Sequence, residues 1–176
     1  MLRAFSLAVL CAILTATSVA QSKPAASPPP AGDLSPIAWM VGGTWNSDVT
    51  DFSNETVTHV ANRVRWSPNH TAIQFLADFN DSPHYNGFYA YNPATKAINF
   101  YYTSSEGELT TGTATPDPDG KTIRQEFDIT HTDGTTGHLK STIVRDGENA
   151  YWLTVFMQKN GDWAQVFRIR YQRKAD

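Results

Sequence analysis

From Thr44 onward the chain alternates apolar and polar residues with a period of two, the signature of strands with one face covered and one solvated. In 121–131, Ile123, Gln125, Phe127, Ile129 and His131 fall on one face, with Thr122, Arg124, Glu126, Asp128 and Thr130 on the other. The last run repeats this: Trp163, Gln165, Phe167, Ile169 and Tyr171 point one way, Arg168, Arg170 and Gln172 the other. Turn chemistry interrupts the runs about every ten residues, at Asn80-Asp81-Ser82-Pro83, Asn92-Pro93, Asp117-Pro118-Asp119-Gly120, Asp133-Gly134, Asp146-Gly147 and Asn160-Gly161. The pattern predicts strands over 44–52, 56–66, 71–79, 84–92, 96–103, 108–115, 121–131, 137–145, 149–158 and 162–172. Such short connections join antiparallel neighbours, because parallel pairs need long crossovers. A meander of that length must close or split, and one solvated face per strand favours closure. The fold class read from the pattern is all-β: an antiparallel up-and-down barrel of about ten strands.

Ahead of the first strand stands the apolar run IAWMVGGTW, residues 37–45. Ser35 offers a hydroxyl cap and Pro36 suits a first helical position, so a short helix or 3₁₀ turn is predicted there. Gly42 and Gly43 end it. A barrel has an open end, and a short apolar helix entering the first strand through two glycines is the right size to plug it, with Trp45 pointing in beneath.

At Gly43-Thr44-Trp45 the chain resembles the calycin group: lipocalins, fatty-acid-binding proteins and nitrobindin-like barrels, whose first strand often begins with Gly-x-Trp after a plugging helix. The stretches LSPIAWMVGGTW and GFYAYNPATKAINFYYTSSEGELTTGTATPDPDGKT are more closely similar to secreted bacterial lipocalin-like domains of unknown function. The resemblance spans nearly all of 33–176, on short motifs. It implies the barrel and a binding-type interior, without naming a ligand. Nitrobindin-like barrels place further glycines after the tryptophan and a haem-ligating histidine near the C-terminus. Here Asn46-Ser47-Asp48 follows Trp45 and no histidine lies beyond His138, so haem binding does not carry over.

Composition narrows the setting. Arg3, the apolar stretch 4–14 and the small residues Ser18-Val19-Ala20 read as a secretory signal peptide over 1–20, too short in its apolar part for a membrane span. Residues 21–32, rich in proline, alanine and serine, read as a spacer, which leaves 33–176 as one domain. The expected localisation is secreted or periplasmic. Cys11 is the only cysteine and leaves with the signal, so the mature chain has no disulfide, thiol nucleophile or cysteine metal site. The formal charge of −3 becomes one unit more negative when Arg3 is removed. A mildly acidic chain with no basic block disfavours nucleic acid and anionic membrane as partners. Asn54-Glu55-Thr56, Asn69-His70-Thr71 and Asn80-Asp81-Ser82 match the N-glycosylation pattern, which matters only in a eukaryotic secretory pathway.

The candidate chemistry lies on the inward face, where a buried amide or imidazole must find a partner. The expected binding residues are Trp45, Gln125, Phe127, Ile129, His131, Trp163, Gln165, Phe167, Ile169 and Tyr171, with Gln125, His131 and Gln165 orienting a small apolar or amphipathic molecule. The alternative is a filled core in which these polar groups satisfy one another or bind buried water. His131 and His138 bracket a hairpin loop containing Asp133, but no further ligand completes a shell, so no metal is expected. His59, with Arg63 and Arg65 in register, reads as an outer row. No nucleophile motif, phosphate loop or dinucleotide fingerprint is present, and no cofactor is expected. Three functions stay open: a binding barrel, favoured first; a lyase- or isomerase-type enzyme with His131 as the interior acid or base; and an interaction barrel. The last would use exposed rings among Phe88, Tyr89, Tyr91, Phe100, Tyr101 and Tyr102, with a homodimer through strand edges.

Overall fold

A computed structural model describes residues 32–51 and 56–174. The signal peptide, all but the last residue of the spacer, and Asn54-Glu55 of the first glycosylation triplet lie outside the described residues.

A 3₁₀ segment, Gly32–Met40, leads into β1 (Thr44–Asp51), β2 (Thr56–Trp66), β3 (Ala72–Phe79), β4 (Ser82–Asn92) and β5 (Ala97–Ser104). These are followed by β6 (Leu109–Pro116), β7 (Thr122–Thr130), β8 (Thr136–Arg145), β9 (Ala150–Lys159) and β10 (Asp162–Lys174). Each strand pairs antiparallel with the next, and β10 returns to β1 to close the barrel. The ten strands and their turns agree with the sequence pattern to within two residues at each end.

The helical segment starts earlier than its sequence predicts: Pro36 lies inside it rather than at its first turn. The 3₁₀ geometry, with three residues per turn, places every third residue on one face. Leu34, Ile37 and Met40 have that spacing and are the residues buried, the first two completely. This face plugs one end of the barrel above Trp45, itself 0% exposed, whose indole N–H donates to the Met40 carbonyl at 2.8 Å. Edge-on rings fill the same layer, with Trp39–Trp45 at 6.2 Å and Trp45–Tyr151 at 4.9 Å between centroids. The guanidinium of Arg173, on β10, covers the Trp45 ring at 4.2 Å and donates to the Trp39 carbonyl.

Gly43 makes the turn from plug to strand. Its φ of +66° is left-handed, and a Cβ there would stand 2.7 Å from the Lys174 carbonyl oxygen. Any side chain would push β1 away from β10 at the one place where they pair. That pairing involves only Thr44, Asn46 and Trp45 between them, opposite Lys174, Gln172 and Arg173. Elsewhere the ladders are longer: β1 pairs with β2 along its whole length, from Thr44 to Asp51. The β9–β10 ladder continues from Gln172 down to Asp162, with a bulge between Gln165 and Phe167.

Candidate functional site

Below the plug the barrel is hollow. A cavity of about 450 Å³ lies within the size range of small-molecule sites. Its walls are apolar and aromatic, among them Phe75, Phe127, Leu139, Val155 and Ile169, and among the described residues none lining it carries a carboxylate, lysine, arginine or histidine.

The lining amides, with Tyr89, Tyr151 and Tyr171, gather toward the plug, while Thr58, Tyr85 and Tyr102 line the half toward the mouth. The alternation of β2 places Asn62 between inward Val60 and Val64, and all three are buried. Its amide N–H donates to the Tyr151 hydroxyl at 3.3 Å, and the Tyr171 hydroxyl stands beside the same amide. The Asn62 Oδ1 has no partner although it is fully buried. A second group joins three strands: Ser141 Oγ donates to Gln125 Oε1 at 2.6 Å, and Gln125 Nε2 donates to the Tyr89 hydroxyl at 3.0 Å. Burial pushes the Tyr89 and Tyr171 hydroxyls up to about 12 against the opposing hydrogen bonds from Gln125 and Asn62, and raises Tyr151 well above its usual value. All three therefore stay protonated near neutral pH and can donate.

Among the described residues no helix covers the opposite end. There Phe79 stacks on His84 at 4.2 Å, and Tyr85 packs edge-on to both. Burial raises the Tyr85 hydroxyl, helped by Glu108 and Glu106. Beside this mouth β1 and β10 diverge. The gap is a groove of about 1070 Å³, and Val49, Phe167 and Ile169 line both it and the interior. Those three side chains form the partition between them.

Of the residues expected to bind, Gln125, Phe127, Ile129, Phe167, Ile169 and Tyr171 line the cavity. Four stand elsewhere. Trp45 is packed into the plug rather than on the cavity wall. β7 ends at Thr130, so His131 lies past the strand in an exposed loop, with Nδ1 paired to Glu108 Oε1 at 2.6 Å. An interior histidine acid or base is thereby corrected: no histidine lines the cavity. Trp163 and Gln165 lie on the outer side because the bulge at Val166 reverses the alternation. Beyond it Phe167 sits opposite inward Val155, while Gln165 sits opposite Phe156, which alternates with Val155. Trp163 accordingly lies over outer residues, with Lys140 Nζ 4.4 Å from its ring centroid.

The other candidates are partnered outside. His59 bonds Asp48 at 2.8 Å, and Arg63 bonds Asp78 at 2.6 Å. His138 bonds Asp128 at 2.7 Å, and Asp133 caps its own turn through Thr135. No group of three or more metal-ligating side chains occurs among the described residues. Of the aromatic strip, only Phe88 and Tyr101 are exposed, at 45% and 40%, as a stacked pair at 5.7 Å; Tyr89 and Phe100 are core. Sequence reasoning missed Asn62, Tyr89, Ser141 and Tyr151. The signal for Asn62 and Ser141 was present: each is a lone polar residue between apolar neighbours two positions away on the same face.

No family model and no curated protein matches the chain. Among solved structures it matches one described as "Structure of EF1p2_mFAP2b bound to DFHBI", at 16% identity over 80% of this chain and 99% of that chain, with a TM-score of 0.33. At that level of likeness nothing about this chain's ligand follows.

Proposed function

We propose that this protein is a secreted binding barrel that holds one small apolar or amphipathic molecule in its interior. Secretion is supported by the leader pattern of residues 1–20. Binding rests on one observation: an apolar-walled hollow of about 450 Å³ with amide and tyrosine groups clustered at its closed end. A packed core leaves few voids larger than a water molecule. Apolar walls supply affinity and a few placed polar groups supply orientation.

Ala77, 1% exposed on the cavity wall, offers the test. Native mass spectrometry and equilibrium dialysis against a panel of one- and two-ring aromatic compounds should give a one-to-one complex with the wild type. Ala77→Leu projects a larger side chain into the hollow and should weaken that complex while leaving the far-UV circular dichroism spectrum unchanged. Equal uptake by a folded Ala77→Leu variant would place the ligand outside the barrel, and no uptake by the wild type would remove the proposal.

A further inference from the structure

The hydrogen-bond ledger of the closed end specifies the ligand's head group, given that the interior is the binding site. Asn62 is 4% exposed and lines the cavity, and its Oδ1 lacks any donor. An orphaned buried acceptor is costly, and a ligand N–H or O–H would remove that cost. The tyrosines supply the converse. Tyr151 accepts from Asn62 and Tyr89 accepts from Gln125, so each hydroxyl hydrogen remains free to donate. Turned end for end, the Asn62 amide would accept from Tyr151 and present its N–H instead. In the orientation present, the end left for the ligand is the acceptor Oδ1, and it is this end that calls for a donor.

Charge decides the class. A buried carboxylate or ammonium needs a counter-ion, and among the described residues none lining the cavity supplies one. Arg173 is engaged above the plug layer by Trp45 and Trp39 and does not line the cavity. The geometry points to a neutral head group that both donates and accepts hydrogen bonds, such as a carboxamide, lactam, phenol or alcohol, seated against Asn62 with its apolar body toward the mouth.

Four naphthyl compounds differing only in the head group test this by equilibrium dialysis at neutral pH: naphthamide, naphthalene, naphthoate and naphthylmethylammonium. Naphthamide should bind about tenfold more tightly than naphthalene, with both ions weaker than naphthalene. Asn62→Leu should erase the tenfold advantage of naphthamide over naphthalene when both are measured on that variant. Should that variant fail to fold, Tyr151→Phe and Tyr89→Phe, which keep their rings, should each lower the advantage severalfold. If naphthalene binds but the amide is no better, or naphthoate binds best, the head-group assignment is overturned and interior binding stands. If none of the four binds, the interior-binding reading falls and takes the assignment with it.

Discussion

The two ends of the barrel are finished in different ways. At the plugged end inward side chains are dry: Leu34, Ile37 and Trp45 are 0% exposed, and rings and a guanidinium close over them. At the other end alternation directs Met157 and Phe167 inward, yet they remain 45% and 41% exposed. Charge pairs decorate the outer wall there, His59–Asp48, His131–Glu108 and His138–Asp128, with Trp163 against the His138 ring. One end is held by burial and the other is left accessible. A barrel that takes up a molecule needs such a division, because the end that opens cannot also carry the stability of the domain.

The largest effect should come from truncating an aromatic ring at each end. Trp45→Ala removes a fully buried ring and its bond to Met40, and should cost about 3–5 kcal/mol in urea unfolding. Phe167→Ala removes a ring already in contact with solvent and should cost about 1 kcal/mol or less, because the area it buries is smaller. Equal losses at the two sites would erase the contrast.

Next in size is Gly43→Ala, which tests whether the short β1–β10 pairing depends on the plug. The left-handed φ and the approach of the Lys174 carbonyl should together cost about 1–3 kcal/mol. The loss should be local first. Amide exchange at Asn46 and Gln172, which belong to that pairing, should accelerate more than exchange in the β7–β8 ladder. Uniform acceleration around the barrel would show that the seam has no separate stability.

Much of this architecture was legible because strand periodicity and turn chemistry are local. Asp119 shows why: it caps its own turn through the Lys121 and Thr122 amides, so a break reads correctly without knowledge of the rest. The inward face of β10 was not legible, since one bulge at Val166 moved Trp163 and Gln165 outside, and a bulge changes no residue type. His131 failed for a simpler reason: alternation was extended one residue past the end of β7. The cavity itself depends on how side chains from different strands fill one volume, which periodicity does not encode. Asn62 and Tyr151 are 89 residues apart and become neighbours only through barrel closure.

The smallest effect concerns the wall of the accessible half. The His138 side chain is exposed on the outer wall, and its pKa is raised by the hydrogen bond to Asp128, opposed by burial and supported by Glu126. Lys140 also faces this group, 3.8 Å from Glu126 and over Trp163, which packs against the His138 ring. A histidine whose folded pKa exceeds its unfolded value binds its proton more tightly when folded. Its stabilisation is complete below the ordinary value of 6.5 and is lost as pH rises through the raised one. With the ring and both carboxylates well exposed, solvent screening limits the change to under about 1 kcal/mol. Urea midpoints measured from mildly acidic to mildly alkaline pH should fall slightly across that window. His138→Gln should remove the fraction of the slope due to this ring, and added salt should reduce it in the wild type. The proton resonances of the ring should titrate above 6.5. The indole signals of Trp45, sealed at the plugged end, should stay still over the same range. Movement of Trp45 in step with His138 would mean that the two ends are coupled, and that the division between a buried end and an accessible one is not energetic.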